Sequence, residues 1–172
     1  MTVNQILRRG LSFGLAIGTA VAASLPAAAA SLPSTCTGAL TIATTSTGTV
    51  KTAGDIEIFQ DSGVAGRYSS GPLAGDAFAG AQDIILNTAT GQSELHGSYV
   101  VSAPGNAGTV TVRYTGHADL TNEQATGNFT ADQGTGSLAG FVWVGTISAK
   151  LTSLTPPTFT STDSGFCLLP PS

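Results

Sequence analysis

"ELHGSYVVSAPGNAGTVTVRYTGHADL", residues 94–120, alternates bulky with small or polar side chains on both sides of a centre rich in Gly and Pro. Strict alternation is the period of a half-buried strand. "APGNAG" (103–108) carries the Pro, Gly and Asn of a turn. The stretch therefore predicts two antiparallel strands. Leu95, Gly97, Tyr99 and Val101 share one face of the first, and Val110, Val112, Tyr114 and Gly116 share one face of the second. "TNEQ" (121–124) turns the chain again, into Ala125, Gly127, Phe129 and Ala131. Phe141, Trp143, Gly145, Ile147, Ala149 and Leu151 continue the pattern. Four successive strands thus offer one continuous apolar face in a meander.

Reading outward, the same alternation predicts strands over 38–44, 49–60, 65–69, 82–87, 93–102, 109–120, 125–132 and 141–151, with a last extended segment over 158–166. Thr and Val dominate them, as suits a pleated, half-buried surface. No stretch after the first thirty residues sustains a helical period. An apolar sheet face with no helix to cover it closes as a sandwich or a barrel. Long strands, short turns and glycines within the strands (Gly97, Gly116, Gly127, Gly145) favour the barrel, because strand glycines mark the bends at which a sheet coils. "GTGSLAG" (134–140) reads as a tight turn across one barrel end, with Leu138 plugging the core. The expected fold is all-β: a single antiparallel eight-stranded barrel.

The first residues carry a different pattern. Arg8 and Arg9 precede an apolar run over 11–25, Pro26 breaks it, and alanines follow to Ala30. This is the layout of a signal peptide over residues 1–30, leaving one domain over 31–172. The apolar run is long enough to span a bilayer. Pro26 and the small residues at the cut favour its removal, so no stable membrane span is expected after cleavage. Arg8 and Arg9 leave both the general secretory and the twin-arginine route open. The chain's formal net charge is −4, and loss of the two arginines makes the domain more acidic. That argues against nucleic acid as a partner. Cys36 and Cys167 are the two cysteines. In an exported chain an even count favours a disulfide. It would tie together the ends of the first and last strands, which neighbour each other if the barrel closes antiparallel.

Candidate site residues fall into two sets. Tyr99, Tyr114, Phe129, Phe141 and Trp143 converge on the inner face, where they either fill the core or line a cavity for a small apolar ligand. The two tyrosine hydroxyls are the natural polar handles of such a pocket. Glu94, His96, Arg113, His117, Asp119 and Asp132 lie on the opposite face. Pairing through 103–108 sets His96 opposite Arg113 or Thr115, and Glu94 opposite Thr115 or His117. Glu94, His96 and His117 are the only metal-ligand candidates, and a solvated exterior explains them as well. No nucleophile elbow supports a Ser98–His117–Asp119 triad. The glycines of 134–140 do not form a phosphate loop, since a strand follows them. The segment 69–83, with Leu73 and Phe78 as its large side chains, is a lid at the barrel mouth or a plain connection. "NFT" (128–130) matches a glycosylation acceptor but sits within a strand. No cofactor is expected.

"ATGNFTADQGTGSLAGFVWVGTISAKL" (125–151) resembles the C-terminal signature of the allene oxide cyclase-like barrels, a family that also holds dirigent proteins and bacterial secreted proteins without assigned activity. Gly134, Thr135, Gly136, Leu138 and Gly140 match the family's turn, and Gly145 and Ile147 fit the strand after it. The resemblance covers 84–151. It implies an eight-stranded antiparallel barrel, a mostly apolar cavity, homo-oligomers, and in plant members cyclisation of allene oxides or steering of phenoxy-radical coupling. No catalytic residue of the family maps onto this chain. Three functions follow as expectations: an exported binder of a small apolar or aromatic molecule, an envelope protein with a filled barrel, or a cyclase, isomerase or dirigent-like activity. The last needs polar groups converging inside, whereas the polar residues read from the strands point outward.

Overall fold

In the computed structural model, which describes residues 32–170, Tyr99, Val101, Val110 and Val112 are buried while His96, Ser98, Arg113 and His117 are exposed. The alternation therefore assigns faces as expected. The strands are β1 (Ser34–Thr44), β2 (Thr49–Ala53), β3 (Ile56–Tyr68), β4 (Ala77–Asn87), β5 (Gln92–Ser102), β6 (Thr109–Asp119), β7 (Gln124–Asp132), β8 (Val142–Leu154) and β9 (Pro157–Leu168). All neighbours pair antiparallel, and β1 pairs with both β9 and β3. That double pairing closes an eight-stranded barrel of β1 and β3 to β9. The exposed β2 pairs along the first part of β3. Among the described residues there is no α-helix, and no helix long and apolar enough to cross a membrane. The leader expected over 1–30 lies outside the described residues.

Three boundaries differ from the sequence reading, each for a local reason. The run 49–60 divides into β2 and β3 because Gly54, at φ 60°, opens a two-residue turn; the first turn position of such hairpins favours glycine. The rest of that run joins 65–69 in a single strand through a bulge between Phe59 and Ser62, where Asp61 adopts φ 56°. The Asp61 N–H donates to Asp83 Oδ1 at 2.9 Å. The bulge resets the phase, so Phe59 and Ser62 both face inward. Finally, β4 starts at Ala77, which places Phe78 on a strand with only 4 % of its surface exposed.

The two barrel ends are unlike. At one end the 69–76 connection buries Leu73 completely, and the 3₁₀ turn Gly136–Leu138 buries Leu138. This turn is anchored by Ser137 N–H to the Ala107 carbonyl and Thr135 N–H to the Thr109 carbonyl, both 2.8 Å. Leu73 thus plugs the closed end and is no lid over the mouth. The Cys36–Cys167 disulfide lies at the same end, across the β1–β9 pair, with Cα atoms 5.9 Å apart. A bond of this kind is consistent with an oxidising, extracytoplasmic setting.

Each barrel strand carries a glycine on its inner face: Gly38, Gly66, Gly80, Gly97, Gly116, Gly127, Gly145 and Gly165 alternate in phase with the buried residues. Three of them make room for rings. A Cβ on Gly66 would lie 2.5 Å from the Phe78 ring. A Cβ on Gly38 would lie 2.8 Å from the Trp143 ring, and one on Gly97 would lie 2.5 Å from the Tyr114 hydroxyl.

Candidate functional site

The interior is filled in one half and hollow in the other. In the filled half, the ring of Trp143 lies 5.0 Å from Phe129 and 6.5 Å from Phe141, both edge-on, and 6.2 Å from Tyr68. Tyr68 continues the column to Phe78, then Tyr99, then Tyr114, with centroids 5.9, 4.4 and 5.7 Å apart. Trp143 is wholly buried and its indole N–H has no partner, so it contributes packing and no polar handle.

Beyond Tyr99 and Tyr114 the side chains shrink. Ser93, Gly116, Ala118, Ala125, Gly127 and Ala149 replace rings on the inner face and leave a cavity of about 230 Å³. Ile84, Leu86, Leu95, Ile147, Phe59 and Phe159 form its apolar wall. It runs to the end that carries the β4–β5, β6–β7 and β8–β9 turns, where Thr47, Leu154 and Pro157 are exposed at its mouth.

Of the five aromatics expected inside, Tyr99 and Tyr114 line this cavity. Phe129, Phe141 and Trp143 belong to the packed half. The expectation that polar residues all point outward is overturned: Asp163, Gln82, Ser62 and Ser93 line the cavity beside the tyrosines. Asp163 is 1 % exposed. It sits on β9 between Gly38 of β1 and Ile147 of β8. The Tyr68 hydroxyl donates to Asp163 Oδ2 at 3.0 Å and Ser161 Oγ donates to Oδ1 at 3.2 Å. Tyr68 Oη also lies 3.0 Å from Tyr99 Oη. Since the one Tyr68 proton is directed at the carboxylate, Tyr99 must be the donor in that second bond. The Tyr114 hydroxyl donates to Gln82 Oε1 at 2.8 Å.

Burial sets the protonation states. Desolvation pushes the Asp163 carboxyl up to about 6, against the opposing effect of the Tyr68 and Ser161 hydrogen bonds. Desolvation also raises Tyr68, further raised by its neighbours Tyr99 and Asp163, and raises Tyr99 and Tyr114. The phenols therefore act as neutral hydroxyls, and above about pH 6 the floor of the cavity carries one carboxylate charge.

The exterior candidates are arranged for surface pairing. Glu94 faces His117 and His96 faces Thr115 across the β5–β6 ladder. Arg113 forms an exposed ion pair with Asp132 at 2.6 Å. Asp119 accepts the backbone N–H groups of Thr121 and Asn122, so it holds a turn. Ser98 is paired with Arg113, which leaves the Ser98–His117–Asp119 triad unassembled. Among the described residues no group of three or more His, Cys, Asp or Glu is placed to hold a metal ion.

Asp163, Tyr68 and Gln82 are site residues that sequence reading missed, although for Asp163 a signal existed. Cys167 and Gly165 fix the inward phase of β9, and two further steps of two reach Asp163 and Ser161.

Fold and site together define an antiparallel eight-stranded β-barrel with a packed aromatic half and an open apolar half floored by a buried carboxyl. No family model matches the chain, and neither does any curated protein or solved structure.

Proposed function

We propose that this protein binds a small apolar or aromatic molecule in the hollow half of the barrel, outside the cytoplasm. The cavity of about 230 Å³ carries this reading. A dry engineered cavity of about 150 Å³ takes up benzene, so this one has room for one or two fused rings. Eight-stranded barrels with an unfilled interior hold one small ligand in the same way. The disulfide and the signal-like residues 1–30 support export, and the extracellular or periplasmic fraction should contain a chain starting at Ser31, which intact-mass measurement checks. Kinship with the allene oxide cyclase-like barrels is part of the proposal and rests on the 134–147 signature.

Ala149 faces the cavity from β8. Replacing it with Phe puts a ring into the empty space while leaving the packed half untouched. Titration with the neutral probe naphthalen-1-ylmethanol should show saturable uptake by the native protein. Uptake by Ala149→Phe should be at least roughly tenfold weaker. Equal uptake by both proteins, or no uptake by the native one of this probe or of amine and carboxylate analogues on the same naphthalene body, would refute the proposal.

One observation favours a second reading, a cyclase- or isomerase-type activity in the same cavity. Asp163, Tyr99, Tyr114 and Gln82 converge on its floor, as acid–base chemistry on a small substrate requires.

A further inference from the structure

We propose that the cavity selects a cationic head group: a protonated amine on a small apolar or aromatic body, seated with its ammonium on Asp163 and Tyr99. This rests on the ligand-binding reading above and adds the chemical class of the ligand. Three observations converge on it. The first is charge. Among the described residues Asp163 is the only Asp or Glu that lines the cavity, and no Lys, Arg or His lines it. A fatty-acid carboxylate would find no cation there and would meet the Asp163 charge in a medium that screens it poorly.

The second is proton accounting. Each hydroxyl proton at the floor is already directed at a protein acceptor: Ser161 and Tyr68 at Asp163, Tyr99 at Tyr68, and Tyr114 at Gln82. Higher in the cavity, Ser62 Oγ donates to the Thr47 carbonyl and Ser93 Oγ to the Ala118 carbonyl. Beyond the Gln82 amide N–H groups, what the floor still offers is acceptors. A carboxylate has about four lone-pair sites, and two donors occupy Asp163. Tyr99 and Tyr114 each keep free lone pairs on oxygen. An ammonium supplies three donors and no acceptor, which complements the Asp163 and tyrosine oxygens; a carboxylate head would find only the Gln82 amide as a donor and would meet the Asp163 charge.

The third is the setting of the charge. Asp163 is buried to 1 % exposure and has no basic partner among the described residues, and a buried charge is costly unless paired. The rings of Tyr99 and Tyr114, which line the cavity with it, suit a cation as well.

The test uses three probes on one naphthalene body: naphthalen-1-ylmethylamine, naphthalen-1-ylmethanol and naphthalene-1-carboxylate. Each is titrated into the intact oxidised protein at about pH 8, above the Asp163 pKa. The amine should bind roughly ten- to a hundredfold tighter than the alcohol, the range of a charge-assisted hydrogen bond, with the carboxylate weakest. In Asp163→Asn the amine's advantage over the alcohol should vanish. It should also fade in the native protein as pH falls below about 6 and the carboxyl takes a proton. The groups facing that carboxyl are Tyr68, Tyr99 and Ser161, with Gly38 and Ile147 beside it in the sheet, and only Asp163 among them changes charge in that range. An amine no tighter than the alcohol in the native protein, or a preference that survives in Asp163→Asn, overturns the inference and leaves the ligand-binding reading standing. Failure of all three probes to bind overturns both.

Discussion

Reducing the Cys36–Cys167 bond is expected to lower the unfolding free energy by about 4–5 kcal/mol. The two cysteines are 131 residues apart in sequence, so the bond closes nearly the whole domain into one loop. In the chain-entropy account its effect lies in the unfolded state, which loses conformations when its ends are tied. The native barrel does not depend on it for closure. β1 keeps a continuous ladder with β9 from Ser34–Cys167 to Ala43–Thr158, and a second ladder with β3. Reduced protein, or the Cys36→Ala/Cys167→Ala variant, should therefore retain its strand signature and the buried environment of Trp143 while melting roughly 10–20 °C lower. Denaturant titration followed by Trp143 emission measures the loss. The slope of the transition should steepen as well, because an untied chain exposes more surface on unfolding. A loss below about 1 kcal/mol with an unchanged slope would contradict the unfolded-state account.

The barrel was legible in the sequence because alternation with period two survives in every central strand. Leu95, Gly97, Tyr99 and Val101 were assigned to one face from spacing alone, and all of them point inward. The register through 103–108 was readable to within two residues: of the partners left open, Glu94 meets His117 and His96 meets Thr115. The floor of the cavity was harder to see, for two reasons. Tyr68 ends a strand whose phase is shifted by the bulge at 60–61, and a bulge leaves no period to follow. Asp163 stands in "TSTDSGF", where hydroxyl residues lie on both faces and hydrophobicity does not tell in from out. The hollow half is a property of stagger. The fully packed rings sit toward the closed end of five strands (Tyr68, Phe78, Tyr99, Phe129, Trp143) and small residues toward the other end (Ser93, Ala118, Ala125, Ala149). In an up-and-down meander the closed end alternates between strand start and strand finish. The segregation therefore emerges only once neighbouring strands are laid antiparallel.

Asp163→Asn, the variant that should abolish amine preference, is also expected to make the protein more stable at neutral and alkaline pH, by up to about 3 kcal/mol. The sign follows from the proton balance. The carboxyl's ordinary value of 3.8 rises to about 6 in the fold, chiefly because burial strips it of water. Between these values the folded protein holds a proton that the unfolded chain has released. Stability therefore falls as pH rises through that window and levels off above about 6. At about 1.4 kcal/mol per pH unit the full cost is present at pH 7 and above. Asparagine removes the charge at nearly constant shape. Its Oδ1 still accepts from Tyr68, and Ser161 can turn to accept from the new amide. Other carboxyls are shifted as well: burial raises Asp76, while hydrogen bonds from Asn122 and Gln92 lower Asp119. The informative quantity is therefore the difference between native and variant unfolding free energies, measured from about pH 4 to pH 8. That difference should grow toward high pH in favour of asparagine. A variant less stable than the native protein at pH 8 would make Asp163 a structural anchor of the Tyr68–Tyr99 pair. The expected gain instead marks a carboxylate that opposes folding yet sits at the floor of the open cavity. Residues that lower stability at a concave site are where binding or chemistry is placed.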